Sequence, residues 1–577
     1  MTDADVSARV VWPGGIDDRM KAIAAREEVD VVILGAGVNG AGLFRDLCAQ
    51  GLSCLIVDKA DYASGTSAAP SRLIHGGLKY LETGELRLVA QSTLERNLLL
   101  KNAPHYVKPL PTLIPIFSWA KGTMAALRTL FGAKGAPRSR GALLIKTGLM
   151  MYDFYGSRHR VMPRHSMAGK ARSLREMPAL TPAIVATGTY YDATITHPER
   201  LVLELIRDGL ADNRRSAAIN YARLERRNGG MLEISSILNG ARIAVRPRIV
   251  VNAAGPWIDA VNGELGEPSR MIGGTKGSHI LLRHDALLRE LKGRMMYFEA
   301  DDGRICLVYE YLGRAMIGST DIKAADPDNV RCEDSEIEYL LESMRSLFPG
   351  LKFERDQIVY TYSGIRPLPA SDAKDPGLIS RDHATPILEP AGDRPFPVLS
   401  LVGGKWTTFR GFAEEVADMV LARFGSQRQV STQDLAIGGG RGFPADAAAR
   451  QSHIAEVAKQ TGLDTETVGL LFNRYGTTAR IVAHHIAERN AATPLPDAPD
   501  YTTGEIDYIV RMEQVGRLSD VVLRRTTLAI TGRLTLRLLT ATAALAAEAL
   551  GWSEADMARE IQDVRDQMQR LHGVAVI

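Results

Sequence analysis

Residues 30–58 read DVVILGAGVNGAGLFRDLCAQGLSCLIVD: strand, glycine turn, helix and second strand in succession. The apolar run 31–34 suits a buried parallel strand. It breaks at Gly35-Ala36-Gly37-Val38-Asn39-Gly40, helix-compatible residues follow to about Gln50, and a second apolar run, 52–57, ends on Asp58. The first glycine permits the tight turn, the second lets backbone N–H groups approach a pyrophosphate, and the third lets helix and strand pack closely. The helix N-terminus offers its positive dipole end to the phosphates. Asp58 stands 18 residues beyond Gly40, placed to hydrogen-bond an adenosine ribose hydroxyl. The succession predicts a dinucleotide-binding domain, with Gly35, Gly37, Asn39, Gly40 and Asp58 on the cofactor.

A chain of 577 residues is too long for one core, so two or three domains are expected. Cys48, Cys54, Cys306 and Cys332 show no C-x-x-C spacing. That argues against zinc or a disulfide framework and fits a reducing cytosol. Asp3, Asp5, Asp17 and Asp18, with no apolar run among them, argue against a secretory signal. Arg533, Arg537 and Glu548 interrupt the most apolar late stretch, 528–550, and argue against a membrane span.

The net charge of +3 conceals an asymmetry. Residues 96–175 hold fifteen Lys and Arg against one acid, Asp153, so this segment carries +14 and the remainder −11. Its cations alternate with Phe117, Trp119, Leu127, Phe131 and Leu143, a pattern that suits a segment lying on an anionic lipid surface. A solvated face over core helices and nucleic-acid contact are the other readings. A redox cofactor argues against nucleic acid.

Residues 1–28 form a polar arm without a strong pattern. Residues 86–100 have helical spacing. From 218 to 255 the pattern changes to short strands, with Asn228-Gly229-Gly230 and Asn239-Gly240 as turns. Strand-like runs resume at 278–283, 295–299 and 305–309. A glycine-rich linker, 438–442, precedes a tail of helical spacing from about 445 to 569.

Several strings are more specific. Thr66-Ser67 precedes Leu73-Ile74-His75-Gly76-Gly77-Leu78-Lys79-Tyr80-Leu81-Glu82. Asn252-Ala253-Ala254-Gly255-Pro256-Trp257, Lys276-Gly277-Ser278-His279 and Gly318-Ser319-Thr320-Asp321 follow. Then come Tyr362-Ser363-Gly364-Ile365-Arg366-Pro367-Leu368, Gly403-Gly404-Lys405-Trp406-Thr407-Thr408, and in the tail Glu513-Gln514-Val515 and Asp520 to Thr526. In these strings, from about residue 28 to 550, the chain resembles the flavin-dependent, membrane-associated glycerol-3-phosphate dehydrogenases, within the glutathione-reductase-like flavoproteins.

The resemblance implies an α/β plus α fold. A FAD-binding Rossmann domain carries an inserted antiparallel β-sheet substrate domain, and a C-terminal helical domain follows. The expected divisions are the arm 1–28, a discontinuous unit 29–435 with substrate parts at roughly 96–245 and 270–365, and helices over 436–577. The implied activity is oxidation of sn-glycerol 3-phosphate to dihydroxyacetone phosphate by hydride transfer to FAD. Electrons then pass to a membrane quinone from a peripheral position on the inner face of the membrane, in the cytoplasm. A soluble oxidase using oxygen, as in the related glycerophosphate oxidases, is the alternative. The tail either caps the flavin domain or serves a homodimer interface.

Three positions depart from the family pattern. Lys79 stands for an arginine, and exchanges a bidentate phosphate clamp for a point charge. Pro198-Glu199-Arg200 replaces an acid-Ala-Arg triplet, and Glu310-Tyr311 replaces a Pro–Trp pair. Together they leave open another polyol phosphate, such as erythritol 4-phosphate.

Oxidising a secondary alcohol needs a hydride acceptor and a base for the hydroxyl proton. A phosphorylated substrate needs converging cations. His75 is the expected proton acceptor, since an imidazole titrates near working pH; the plain alternative is a histidine capping the glycine loop. Arg366 is expected to bind substrate and polarise its oxygen, against a structural salt bridge. Lys79 and Tyr80 read as phosphate contacts or helix-surface packing, and His279 as a substrate contact or a hydrogen-bonded core residue. Lys405 faces the flavin ring or the substrate phosphate. Thr66, Ser67, Ala254, Gly255, Gly404 and Thr407 complete the expected FAD contacts, and no metal is expected.

Overall fold

The computed structural model describes residues 16–24, 28–78, 85–119, 141–156, 162–300, 302–324, 326–370 and 382–577. The first apolar run becomes the strand Val29–Leu34, at the centre of a six-stranded sheet. In spatial order its strands are Ile387–Leu388, Val398–Ser400, Pro247–Asn252, Val29–Leu34, Cys54–Val57 and Ala217–Ile219. All neighbours run parallel except the edge pair Ile387–Leu388 with Val398–Ser400. Parallel strands need both faces covered, and alternate side chains of Val29–Leu34 serve the two faces. Val31 and Ile33 pack under the helices Val38–Ala49, Pro198–Asp212 and Phe409–Arg423. Val32 and Leu34 pack under a three-stranded meander, Ala222–Asn228, Met231–Ser236 and Arg242–Val245.

That meander corrects a boundary. The sequence reading placed residues up to 245 with the substrate part, whereas Leu224, Leu232, Ile234, Ile243 and Val245 close the nucleotide sheet. Alternating apolar residues and turn dipeptides specify strands, but not which exposed sheet face their apolar side will cover. The arm also contains more order than its composition indicated: Ile16–Ala24 is a helix, and its Met20 and Ile23 enter the same cluster.

The second sheet has ten strands. Its first half comprises Leu73–Ile74, Val107–Ile116, Ser166–Gly169 and Ala186–Ile195; its second half, six strands from Thr275–Leu282 to Ile358–Arg366. Within each half neighbours are antiparallel, and Met295–Glu299 joins Val107–Ile116 in parallel where the halves meet. One face carries the helix Asp334–Leu347. The other is covered by the C-terminal helical region, whose Ile506, Leu518, Val522, Leu538 and Met568 pack with Tyr309, Tyr311, Tyr360 and Tyr362 of the sheet. The tail is therefore a wall of the second sheet.

Candidate active site

The glycines of the first turn are fixed by close approach. Gly35 has φ +108°, and a Cβ there would sit 2.6 Å from the Ala253 carbonyl oxygen. A Cβ on Gly40 would overlap the Gly35 carbonyl. Gly37 is the N-cap of Val38–Ala49 and has no capping side chain of its own. Ser67 Oγ accepts instead from Val38 N, at 2.9 Å. Trp406 Nε1 donates to the Ser67 carbonyl at 3.2 Å, which draws the 403–408 loop to the same helix end. Gly404, at φ +84°, faces Asn39, whose Oδ1 is buried with no hydrogen-bond partner among the described residues. The Ala253–Gly255 turn closes the far side, with Ala254 N donating to Asn252 Oδ1 at 3.2 Å.

A helix N-terminus whose N-cap is a glycine, a rim of further glycines and one orphaned buried acceptor fit the diphosphate of FAD. Asp58 accepts from Ala36 N at 2.7 Å and from Ala60 N at 2.9 Å. Burial pushes its carboxyl up to about 6, against the pull of those two N–H groups. A valine at Gly37 would branch toward Ser67 Oγ, 3.0 Å from the Cβ position, and into the phosphate path. Folded Gly37→Val protein should therefore be colourless; a wild-type flavin spectrum would refute the placement.

The residues expected on the substrate side come from different strands. His75 follows Leu73–Ile74, and its backbone N donates to Thr407 Oγ1 at 3.2 Å, joining the histidine turn to the 403–408 loop. Arg366 ends Ile358–Arg366 and His279 lies on the paired strand Thr275–Leu282, opposite Tyr362. Thr66 Oγ1 donates to the Ile365 carbonyl at 2.6 Å and so fastens the Thr66–Ser67 turn beside Arg366. The Arg366 guanidinium donates to Asp321 at 3.0 Å, Ser319 Oγ at 3.1 Å and the Thr320 carbonyl at 3.2 Å. It crosses Gly277 so closely that a Cβ there would overlap it. Lys405 Nζ donates to Ser92 Oγ, at 3.1 Å, on Leu86–Asn102. Lys79 and Tyr80 lie outside the described residues.

His279 is buried, stacks on Tyr362 with ring centroids 4.8 Å apart, and shares a 2.8 Å hydrogen bond with Ser71 Oγ through Nε2. Burial, then the nearby Arg366 and Arg72 cations, push its pKa down to about 3, so it is neutral at working pH. His572 is similar: it stacks on Tyr360, donates through Nδ1 to the Thr361 carbonyl, and is pushed down to about 4 by burial. Unfolded, both would bind a proton near 6.5. Their contribution is thus complete above that value and is lost as pH falls toward 4 and 3, at about 1.4 kcal/mol per pH unit per group. The melting temperature should drop steadily below pH 6.5, and less steeply in His572→Gln. Parallel pH curves for the two proteins would contradict this.

Sequence reasoning missed the groups that hold these turns. Gly76 N donates to Tyr152 Oη at 2.8 Å and Asp192 Oδ1 at 3.2 Å, and Arg96 bridges to Asp192 at 3.0 Å. A Cβ on Gly76 would overlap the Tyr152 hydroxyl, so the glycine was readable although its partners were not. Arg72 adopts φ +53°, in the left-handed region, and its guanidinium is gripped by both Glu199 oxygens, at 2.7 and 3.2 Å. It also donates to Tyr311 Oη at 3.0 Å. Two of the three departures, Glu199 and Tyr311, therefore meet on one buried arginine next to Ser71, the partner of His279.

Residues 30–419 match the FAD dependent oxidoreductase family, and residues 430–557 match the C-terminal domain of alpha-glycerophosphate oxidase. A glycerol-3-phosphate dehydrogenase of Synechocystis sp. is 31% identical over 566 residues, covering 94% of this chain and 96% of the relative. A D-erythritol 1-phosphate dehydrogenase of Brucella abortus is 28% identical, with 87% and 95% covered. Among solved structures, the FAD complex of glycerol-3-phosphate dehydrogenase from Bacillus halodurans superposes with a TM-score of 0.74 at 22% identity, over 98% of both chains. The cradle at Gly35–Gly40, the two matched regions in order and the near full-length relative agree, and the chain belongs to the FAD-dependent glycerol-3-phosphate dehydrogenase family.

Proposed function

We propose that this enzyme oxidises sn-glycerol 3-phosphate to dihydroxyacetone phosphate and passes the electrons to a membrane quinone. The observation that carries the reading is the stapling of three elements: Thr66 to Ile365, His75 to Thr407, and Trp406 to Ser67. They support a reading in which His75, Arg366 and the flavin cradle serve one site. FAD, when bound, supplies the hydride acceptor. Arg366 orients the anionic substrate and polarises its oxygen, and Asp321 and Ser319 restrain it in a fixed fork. His75 takes the hydroxyl proton. His279, neutral and presenting a buried Nδ1 without a partner among the described residues, positions the substrate by hydrogen bonding rather than by charge.

Anaerobic bleaching of the flavin by three-, four- and five-carbon polyol phosphates tests the substrate. Glycerol 3-phosphate should bleach fastest. The Arg72–Glu199–Tyr311 cluster and the Brucella relative favour a four-carbon phosphate as the second reading, and faster bleaching by an erythritol phosphate would establish it. Oxygen uptake with substrate alone would indicate an oxidase instead.

The membrane reading draws on the helix Ala142–Tyr155, whose exposed face carries Leu143, Met150, Met151 and Phe154. Ala142 N donates to the Ser118 carbonyl, which sets this face beside exposed Phe117 and Trp119, the latter 63% exposed. Lys121, Arg128, Lys134, Arg138 and Arg140 lie outside the described residues. Changing these five to Gln should remove the salt-sensitive part of binding to anionic vesicles, at about 1 kcal/mol per cation. Leu143→Ser with Phe154→Ser should remove the salt-resistant part. Both variants should turn over normally with a soluble dye acceptor; undiminished vesicle binding in both would place the membrane contact elsewhere.

A further inference from the structure

The tail strings Glu513-Gln514-Val515 and Asp520 to Thr526 have no part in the chemistry above, yet they end at the flavin unit. Arg525 grips Asp61 with two nitrogens, at 2.8 and 2.9 Å, and Arg524 Nε adds a third bond at 2.6 Å. Asp61 is fully buried, and 463 positions separate it from Arg524. Tyr62 donates its hydroxyl to Gln514 Oε1 at 2.5 Å, and Asn220 Nδ2 donates both to Asp61 and to the Gln514 carbonyl.

Asp61 stands three residues after Asp58. The loop between them is tied to the glycine turn at both ends: Ala36 N donates to Asp58, and Ala63 N donates to the Ala36 carbonyl at 3.1 Å. Ala63 is held at φ +55°, which a non-glycine residue keeps only when its surroundings impose it. Without the two arginines, Asp61 would be a buried carboxylate with one amide partner. Such a charge is far from neutral in cost, so the loop would turn outward to hydrate it and carry Asp58 away from Ala36.

We propose that the C-terminal helical region forms part of the FAD site, with Arg524 and Arg525 as positioning residues that hold the 58–63 loop through Asp61. Cofactor retention then depends on residues that never touch the cofactor.

The test follows FAD release from diluted holoprotein by the rise of free-flavin fluorescence, with melting temperatures measured alongside. Arg525→Ala should release FAD at least about tenfold faster. Arg525→Lys, which keeps a cation but loses the two-oxygen fork, should fall between it and wild type. Asp61→Asn added to Arg525→Ala should slow release again, because Arg524 alone would otherwise be shared between the two buried carboxylates Asp61 and Asp520, and the change removes that excess negative charge. Arg474→Ala breaks a similarly buried pair with Glu505 inside the helical region, away from the loop, and should release FAD as wild type does at an equal interval below its melting temperature. Wild-type release from both Arg525 variants would overturn the proposal, and so would release from Arg474→Ala as fast as from Arg525→Ala. If Arg525→Ala fails to fold, Arg525→Lys decides the question.

Discussion

Arg366→Ala is expected to lower kcat/KM by about two to three decades while leaving the melting temperature almost unchanged. Magnitudes separate the two effects. The pair with Asp321 is part-exposed, at 20% and 23% of the two side chains, so removing the guanidinium leaves a carboxylate that water can reach. Such a pair is worth about 1 kcal/mol or less to folding. In the proposed role the same guanidinium meets charge developing on the substrate oxygen in the transition state, where one preorganised donor contributes about 3–4 kcal/mol. The decades follow from that difference. Gly277→Ala gives an independent check, since its Cβ would displace the guanidinium without removing its charge. Its turnover should fall in the same direction. A melting temperature that collapses in Arg366→Ala, with full activity in the surviving folded fraction, would make the residue structural.

The contrast between Arg366 and Arg72 shows what a sequence discloses. Arg366 stands in a family string and was visible as a cation among small residues; Arg72 precedes such a string by one position and was not singled out. Only the fold shows that Arg72 is buried on Glu199 and Tyr311 while Arg366 stays part-exposed beside Asp321. The dinucleotide unit was legible because its determinants are local: glycines a few positions apart, a strand before them and an acid after. The strands and the helical tail were legible through their periods. Glu199 and Arg200 were not. They are adjacent on one helix, yet Glu199 reaches Arg72 while Arg200 reaches Glu513, 313 positions away. Asp192 and Tyr152 likewise meet Gly76 from segments without motifs. The meander over 222–245 went to the wrong domain for the same reason, since periodicity names an element and tertiary packing chooses its neighbour.

His75→Ala carries the other large effect, and His279 is the residue against which it must be argued. Both imidazoles lie in family strings, and the reaction needs one base. His279 is pressed down to about 3 by burial and by the arginines at 366 and 72, so protonating it at neutral pH runs uphill by several pH units. Each unit costs about 1.4 kcal/mol, which removes more rate than general-base help supplies. His75 stands instead on a glycine turn tied to Thr407, in the loop that also approaches the flavin cradle. Its loss should reduce kcat at neutral pH by about 10²–10⁴-fold, the usual worth of a positioned base. Water or hydroxide must then take the proton, so the residual rate should climb with pH where the wild-type rate levels off. His279→Gln should instead raise KM and keep the wild-type shape of the pH–rate profile. An unchanged profile in His75→Ala, together with an altered one in His279→Gln, would exchange the two roles.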